Sequence, residues 1–294
     1  MNPPLQTFGS ATARAPRAAA PLSIAAPAFD VTAAIVTYRN SIVQLRRAVA
    51  SVVQQRCRIQ LVLVDNAGQD AVAALAEECG AIYLRPPGNL GFGKAHNLAY
   101  QRARALSPYH LVLNPDVHFD AEVLETLLDL MTTKPDLGVV MPKILYADGA
   151  TQHLCKRLPT PWDLVIRRFA PGFAHGVFRR AMERYELRDR DYDQPMEPPT
   201  LSGCFLLLRN EIVDQVGLFD ERFFMYMEDV DLVRRILVVS RGLYYPAVSI
   251  VHEYQKGSYR DRRLAWHHVL SALKYFSKWG WIRDAERDRL NQRS

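Results

Sequence analysis

The sequence predicts an α/β fold in which a mostly parallel sheet is flanked by helices. Continuous apolar runs rich in β-branched residues recur along the chain, as in VTAAIVT (31–37) and LVLVD (61–65). Segments with helical periodicity alternate with these runs, as in AVAALAEEC (71–79). Such alternation is typical of βαβ units, whose strands are buried on both faces of the sheet.

The predicted elements follow one another from residue 31 onward. After the first strand, apolar residues at helical spacing mark the first helix, and they are Ile42, Leu45, Val49, Val52 and Val53. Further strands are predicted at 61–65, 81–84, 109–114, 137–142 and 242–251. Further helices are predicted at 71–79, 94–106 and 121–133. Regular patterning returns at 201–209 and 217–237.

Composition narrows the class of protein. Hydrophobic residues make up 49% of the 294 residues, which is enough for a sizeable core. The formal charge of +6 suits an anionic partner: nucleic acid, acidic lipid or the phosphate of a small molecule. The four cysteines form no CxxC pair, which argues against a zinc knuckle and favours a reducing, cytoplasmic location. No run of 18 apolar residues predicts a transmembrane helix.

The pattern divides the chain into a tail, a domain and an extension. Residues 1–30 are rich in Ala and Pro and are predicted to be a flexible tail rather than an export or transit signal. Residues 31–254 form the predicted domain. It is interrupted at 143–200 by a variable insertion whose 156–190 part is basic and interleaved with aromatic residues. That insertion either folds over the site or offers a surface to acidic lipid or an anionic acceptor.

Residues 255–294 are predicted to be a helical C-terminal extension. Its apolar residues lie on one helical face, namely Trp266, Val269, Leu270, Leu273 and Phe276. This face either packs on the domain or docks the protein on an anionic membrane, where Trp and Lys suit the boundary.

Three polar residues come at or just after the ends of predicted strands. Thr37 and Asp65 end their strands, and Asp116 follows the strand 109–114 in the segment HLVLNPDVHF. Ligands of parallel α/β sheets bind beyond the carboxyl ends of the strands, so these residues indicate a shared crevice. Three ordinary helix-capping loops are the alternative.

A glycine-rich segment, GNLGFGKAHN (88–97), lies between a strand and a helix. Glycines let a backbone approach phosphate, and a helix N-terminus favours negative charge. The segment has neither the GxGxxG spacing of a dinucleotide site nor the GK[ST] ending of a P-loop. Its Lys94 and Asn97 either reach a ligand or only cap and solvate the helix.

The segment FMYMEDVDLVRR (224–235) concentrates three acids beside Met and aromatic residues. Acidic side chains at the start of a helix interact favourably with the helix dipole, and this alone would explain the cluster in structural terms. Glu228 and Asp231 are neighbours at helical spacing, whereas Asp229 points elsewhere. An apolar rim raises the proton affinity of a carboxylate and suits it to act as a base. At the end of a later strand, His252 could join Asp116 around a metal.

Together these motifs carry a family resemblance. AIVTYRN, LVLVDNAGQD, GNLGFGKAHN, LNPDV, LSGCFLLLR, GLFDERFFMYMEDVDLVRR and the strand ending in His252 occur in this order, from about Val31 to Tyr254. The sequence resembles the family-2 inverting glycosyltransferases of the GT-A fold, and most of all their rhamnosyltransferase-like branch. The joint occurrence of the motifs is specific, although no single motif is.

The resemblance implies a role for individual residues. Asp116 matches the last acid of the DxD element, which holds a divalent cation on the donor diphosphate, and His252 matches a histidine that completes the metal sphere in some members. Mg²⁺ or Mn²⁺ is expected, and an imidazole ligand favours Mn²⁺. Asp229 matches the catalytic base, with Glu228 beside it. The residues assigned to the donor are Thr37, Arg39, Asp65, Asn66, Asn89, Gly91, Lys94, Asn97 and Asn114.

The resemblance also implies substrates. The first guess for the donor is dTDP-rhamnose, with UDP-galactofuranose and other hexose donors open, and the acceptor is a hydroxyl of a glycan or lipid-linked glycan. We expect a cytoplasmic enzyme of cell-surface polysaccharide biosynthesis, peripheral on the inner face of the membrane if its acceptor is lipid-linked.

Two other functions were compared with this one. A sugar nucleotidyltransferase would need a Gly-rich stretch with Arg and Lys near the N-terminus, where this chain has TYRN. A nucleic-acid-binding protein would need its basic residues on one element, whereas here they are divided between insertion and tail, so no nucleic-acid partner is expected.

Overall fold

An eight-stranded sheet forms the centre of the computed structural model, which describes residues 27–169, 175–253 and 262–293. The strands are β1 (Val31–Thr37), β2 (Ile59–Asp65), β3 (Ile82–Leu84), β4 (Tyr109–Leu113), β5 (Val117–His118), β6 (Leu137–Leu145), β7 (Phe205–Arg209) and β8 (Arg241–His252). The helices are α1 (Ile42–Val53), α2 (Asp70–Glu78), α3 (Phe92–Ala103), α4 (Val123–Thr133), α5 (Pro161–Phe169), α6 (His175–Tyr185), α7 (Asn210–Val216), α8 (Glu228–Val239), α9 (Arg262–Trp279) and α10 (Ala285–Asn291).

The sheet has a parallel half and a mixed half, in the order β3-β2-β1-β4-β7-β6-β8-β5. Strands β3, β2, β1 and β4 pair in parallel through crossover helices, as the alternating pattern predicts. Strand β7 runs antiparallel between β4 and β6, while β6 and β8 are parallel. The antiparallel β7 therefore begins beside the carboxyl end of β4, where Phe205 pairs with Leu113.

Strand β1 is buried along its whole length, and its alternation distributes side chains to two apolar layers. Ile35 packs in the cluster that holds Leu45 and Val49 of α1. Val36 packs in the cluster on the other face, with Ala95 of α3. Because both faces are covered by helices, the strand shows a continuous apolar run rather than alternation of polar and apolar residues.

Several boundaries differ from the predictions because pairing, rather than composition, sets where an element ends. Strand β6 extends three residues beyond 142, since Lys143 and Leu145 pair with β8. The helix predicted at 94–106 begins at Phe92 and ends at Ala103, followed by a 3₁₀ turn at 104–106. The inserted segment 143–200 contains α5 and α6. Residues 1–26 of the predicted tail lie outside the described residues.

The C-terminal helix α9 packs on the domain, and its buried face coincides only in part with the predicted one. Tyr275 and Phe276 join an apolar cluster with Leu164 of α5 and Tyr185 of α6. A buried bidentate ion pair between Arg234 of α8 and Asp284 holds the extension in place, and Tyr275 and Trp279 lie against the Arg234 guanidinium. Of the predicted face, Trp266 is 61% and Leu273 44% exposed. Phe276 of the predicted face is buried, and Val269 and Leu270 are half-buried.

No helix in the part of the chain that the structure describes is both long and apolar enough to cross a membrane.

Candidate active site

The carboxyl ends of β1 and β2 are in register, with Thr37 paired to Asp65. Both side chains are buried. Asp65 accepts hydrogen bonds from the backbone N–H groups of residues 67, 68 and 69 at 2.9, 2.9 and 2.5 Å, and from the Tyr83 hydroxyl at 3.1 Å. The Thr37 hydroxyl donates to Asn40 at 3.1 Å. The predicted donor pocket thus has a rigid floor made by the chain's own hydrogen bonds.

Asn66 connects this floor to the glycine-rich loop. Its amide nitrogen donates to the carbonyl of Gly91 at 3.2 Å, and its amide oxygen accepts from the backbone N–H of Leu90 at the same distance. Gly91 has a φ of 79°, and a Cβ there would lie 2.2 Å from the carbonyl oxygen of Phe224. Glycine is therefore required by the approach of the segment that precedes α8, in addition to any approach of phosphate.

Four other residues assigned to the donor take up structural or exposed positions. Asn97 brackets the backbone of Phe219, donating to its carbonyl at 2.8 Å and accepting from its N–H at 2.9 Å. Asn89 accepts from the Gly91 N–H, and Lys94 lies 3.5 Å from Glu221 in a half-exposed ion pair. Arg39, the fourth residue, is exposed just after β1 and has a left-handed φ of 56°.

Asp116 lies just beyond β4, beside the start of β7. The N–H of Asn114 donates to the carbonyl of Cys204 at 2.9 Å, which fixes the turn that carries Asp116. The Oδ1 atom of Asp116 is buried and makes no hydrogen bond within the described residues. It lies 3.4 Å from Nε2 of His252, longer than a normal hydrogen bond. A buried carboxylate oxygen without a hydrogen-bond donor favours a cation or a proton nearby.

His252 is oriented by Gln152, a residue of the predicted insertion. The Gln152 amide nitrogen donates to the carbonyls of His252 and Leu145, at 2.7 and 3.1 Å. Its amide oxygen, 3.1 Å from Nδ1 of His252, therefore accepts a hydrogen bond from Nδ1–H, which turns Nε2 toward Asp116. Burial alone lowers the pKa of His252, but the adjacent Cys204 and Asp116 act in the opposite direction and raise it to about 10.

The acidic pair at the start of α8 is split between two environments. Asp229 is half-buried, and its carboxylate accepts from the N–H of Gly203 at 2.9 Å and of Val230 at 2.8 Å. Glu228 is buried beside Gly93 of α3. Burial, with a further contribution from the charge of Asp229, raises the pKa of Glu228 to about 8. At neutral pH Glu228 is therefore protonated.

Gly203 and Cys204 bring the two acidic regions together. Asp229 contacts Gly203, whereas Asn114 and His252 contact Cys204, and the Cα atoms of consecutive residues are about 3.8 Å apart. The turn that carries Asp116 and the acid predicted to be the base are therefore joined to two adjacent residues, Cys204 and Gly203, which precede β7 beside the end of β4. On the other side, Gly91 and Phe224 join the donor floor to the segment before α8.

The donor set near Asp116 fits a cation that receives most of its ligands from a substrate. In the described ranges, no group of three or more His, Cys, Asp and Glu side chains is arranged to hold a metal ion. Asp116 would supply one carboxylate oxygen, and His252 would supply one imidazole nitrogen after losing the proton that its raised pKa retains in the absence of a cation. Hard divalent cations readily complete their shell with phosphate oxygens and water, so a two-residue site suits a diphosphate-bound ion.

Sequence reasoning did not identify some residues that shape this site. The motif LSGCFLLLR contributes to the family resemblance, but the sequence predicts no role for its Gly203 and Cys204, which lie at the centre of the site. Nothing in the sequence distinguishes Gln152, which reaches His252 across 100 positions of the chain. Its role depends on the pairing of β6 with β8, which only the fold provides.

Comparison with known proteins decides the family. The sequence profile described as Glycosyl transferase family 2 matches residues 33–217. The chain belongs to glycosyl transferase family 2. This family-2 chain is 31% identical, over 71% of its own length and 72% of the relative's, to N-acetylglucosaminyl-diphospho-decaprenol L-rhamnosyltransferase of Mycobacterium tuberculosis. It is 22% identical, over 79% of its length and 87% of the relative's, to rhamnosyltransferase WbbL of Escherichia coli K12.

Solved structures support the same fold for this glycosyltransferase. GalNAc-T7, crystallised with UDP, GalNAc and Mn²⁺, superposes with a TM-score of 0.58 at 16% identity, covering 77% of this chain and 43% of that one. Staphylococcus aureus TarS superposes with a TM-score of 0.56 at 14% identity, covering 89% and 42%. The chain spans less than half the length of these two proteins. The predictions of a GT-A fold, a glycosyltransferase and the rhamnosyltransferase-like branch are confirmed.

Proposed function

We propose that this glycosyltransferase moves a sugar, with rhamnose from dTDP-rhamnose as the first candidate, onto a hydroxyl of a glycan or glycolipid with inversion at the anomeric carbon. The observation that supports the proposal is that Asp229 contacts Gly203, while Asn114, two residues before Asp116, contacts the adjacent Cys204. A base and a cation site near the same strand end can face the two sides of one sugar.

In the proposed reaction, Asp229 accepts the proton of the acceptor hydroxyl as its oxygen attacks the anomeric carbon. The bond from that carbon to the donor diphosphate breaks on the opposite face, and the nucleoside diphosphate leaves. Two backbone N–H groups hold the Asp229 carboxylate in a fixed orientation. Glu228, neutral beside it, adds no second negative charge to repel the donor. General-base assistance of this kind is typically worth ~10²–10⁴-fold in rate.

Asp116 and His252 would hold Mg²⁺ or Mn²⁺, and when bound the cation would neutralise charge on the departing diphosphate. The orientation of His252 by Gln152 supports this role, because metal-binding histidines commonly donate their other ring N–H to an acceptor. Thr37, Asp65 and the loop around Gly91 would receive the nucleotide on the floor described above.

The donor and the acceptor are inferred from relatives. The M. tuberculosis relative is by name a rhamnosyltransferase that acts on a diphospho-decaprenol-linked sugar, and the E. coli relative is by name a rhamnosyltransferase. We infer rhamnose and a lipid-linked glycan for this chain as well. A thermal-shift panel of nucleotide sugars with Mn²⁺, Mg²⁺ and chelator tests this, since a ligand that binds the folded state raises its stability. A metal-dependent shift largest for another hexose donor would replace rhamnose.

The base is tested by Asp229→Asn, with Asp214→Asn on α7 as the matched control. Turnover should fall by ~10²–10⁴-fold while the affinity for the nucleotide sugar, measured by calorimetry, is unchanged. Loss of donor binding together with turnover would mean that Asp229 binds the donor. Full turnover would remove it from the mechanism.

A peripheral membrane contact would suit a lipid-linked acceptor. Large apolar side chains stay exposed on α5 and on the extension, and they are Trp162, Val165, Trp266, Leu273, Trp281 and Ile282. Exposed arginine follows Ile282 directly in the chain. Trp and basic residues together favour the boundary of an anionic membrane.

Flotation with vesicles containing or lacking acidic lipid measures this contact. We expect binding to acidic vesicles that is reduced by Trp266→Ser combined with Ile282→Ser. The control is Val43→Ser combined with Val238→Ser, which removes exposed apolar side chains from α1 and α8 instead. Absence of flotation with either vesicle, or equal loss in both double variants, would exclude a docking role for this surface.

A further inference from the structure

The chain turns into α8 through a strained backbone. Tyr226 and Met227 are consecutive non-glycine residues in the left-handed region, with φ values of 69° and 68°. Side chains with a Cβ rarely adopt this conformation, and a pair of them persists only when the surroundings impose it. Asp229 lies two residues beyond the pair, so whatever imposes the turn also fixes the direction of the proposed base.

The C-terminal helix α9 covers this turn along one side. The hydroxyl of Ser271, which is buried, donates to the carbonyl of Met225 at 2.7 Å. The ring of His267 stacks on Phe224 with centroids 4.6 Å apart and an interplanar angle of 27°. One residue further along the helix, His268 packs edge-on against Tyr226, with centroids 5.1 Å apart. Three contacts from two turns of one helix therefore act on consecutive residues of the strained segment.

The opposite side of the segment rests on the glycine-rich loop. The carbonyl of Phe224 accepts from the N–H of Phe92 at 2.9 Å, at the place where Gly91 leaves room for it. Phe224 is thus held between the donor loop and His267. Contacts on both sides of the segment therefore explain how Tyr226 and Met227 are held in the left-handed conformation.

Helix α9 is itself fixed to α8, which begins with the acidic pair. Trp279 and Lys278 donate to the buried carboxylate of Asp231 at 2.8 and 2.6 Å. The family profile ends at residue 217, so both α8 and α9 lie outside the matched region. Helix α9 is therefore joined both to the segment before the acidic pair and to α8 itself.

We propose that α9 is a positioning element of the active site, in which Ser271 and His267 hold residues 224–227 so that Asp229 keeps its contact with the Gly203 N–H. The proposal rests on the proposed role of Asp229 as the base. Neither Ser271 nor His267 needs to touch a substrate. Removing the contacts of Ser271 and His267 with residues 224–227 should let the Asp229 carboxylate change its orientation. Small misplacements of reacting groups lower rates by as much as ~10²-fold.

The first test compares Ser271→Ala with Ser277→Ala, the same change at an exposed position on the same helix. Ser271→Ala should lower kcat by about 10-fold or more with the donor KM unchanged. Hydrogen exchange of the amides of residues 224–230 should be faster in Ser271→Ala than in Ser277→Ala, at an equal midpoint of thermal unfolding. Equal kcat and equal exchange in the two variants would overturn the proposal.

The second test separates ring stacking from histidine chemistry at residue 267. His267→Phe retains a flat ring for Phe224, whereas His267→Ala does not. We expect kcat to fall in His267→Ala and to be restored in His267→Phe. A failure of Phe to restore kcat would mean that His267 acts through its nitrogens, and the stacking part of the proposal would be wrong.

A double-variant cycle distinguishes this proposal from the proposed function. If Ser271 acts through Asp229, Ser271→Ala should cause no further loss in the residual turnover of Asp229→Asn. If Asp229→Asn alone retains full turnover, the proposed function fails. If Asp229→Asn is impaired but the two losses multiply, the assignment of Asp229 as the base is supported and the positioning role of Ser271 is wrong.

Discussion

The two sides of the candidate site treat their polar atoms in opposite ways. On the donor side, the Asp65 carboxylate receives four hydrogen bonds from the chain, and the Asn66 amide is paired at both ends. On the acidic side, Oδ1 of Asp116 and Oε2 of Glu228 are buried and have no hydrogen-bond partner among the described residues. The first side is complete without a ligand, whereas the second is not.

This difference assigns separate tasks to the two sides. A floor that is satisfied internally keeps its shape before the donor arrives, which lowers the cost of binding. Acidic oxygens that lack donors have an unfavourable free energy until a cation or a proton meets them. We therefore expect changes on the donor side to affect stability most, and changes on the acidic side to affect turnover and the pH dependence of stability.

The largest effect should come from Asp116→Asn, which removes the charge at the proposed cation site. Turnover should fall at least about 100-fold, and the thermal shift caused by Mn²⁺ with nucleoside diphosphate should disappear. The free energy of unfolding without metal should also fall at neutral pH, because the charge of Asp116 contributes to the raised pKa of the buried His252. Exposed Asp120→Asn is the control. An undiminished Mn²⁺ shift in Asp116→Asn would place the cation elsewhere.

Glu228→Gln should flatten the pH dependence of stability. With a folded pKa of about 8 against an ordinary value of 4.5, the folded state binds more protons than the unfolded state between these pH values. Stability from this group is therefore complete below 4.5 and is lost as pH rises toward 8. Relative to Glu228→Gln, the wild type should lose on the order of 2–4 kcal/mol across that window.

Urea unfolding at a series of pH values measures this difference. Glu211→Gln, an exposed change on α7, should retain the wild-type slope. A slope in Glu228→Gln equal to that of the wild type would show that Glu228 ionises normally in the folded protein, and the contrast between the two acids of the pair would then be lost.

Asp65→Asn should destabilise the fold itself. The amide keeps one acceptor and turns an N–H₂ group toward backbone donors, so about 2 kcal/mol of the free energy of unfolding should be lost. Asp70→Asn, an exposed change in the first turn of α2, should cost only about 0.3–1 kcal/mol. Chemical denaturation compares the two. If Asp65→Asn weakened donor binding without any loss of stability, the donor side would not be internally complete.

The smallest effect on stability is expected for Lys94→Met. Its ion pair with Glu221 is half-exposed, and such pairs contribute less than about 0.5 kcal/mol. If Lys94 reaches the donor phosphate as the resemblance implies, the donor KM should rise several-fold with kcat unchanged. Arg102→Met, exposed on the same helix, should leave both unchanged. Identical KM values in the two variants would confine Lys94 to the surface.

The sequence by itself determined the parallel half of the sheet and the place of its ligand edge. Continuous apolar runs between helices require a sheet covered on both faces, and Thr37, Asp65 and Asp116 end those runs or follow them closely. The order of motifs determined the family. These properties are local, or depend on neighbouring segments, and therefore appear in the sequence.

Only the tertiary structure decided how the acidic side is assembled. The contact of Asp229 with Gly203, the orientation of His252 by Gln152 and the cover of Met225 by Ser271 join residues 26, 100 and 46 positions apart. It also decided which residues of α9 are buried, since Ser271 and Tyr275, outside the predicted apolar face, contact α8 and the segment before it. A buried polar or charged group pairs with whichever partner the fold brings near it. No periodic pattern in the sequence indicates which partner that is.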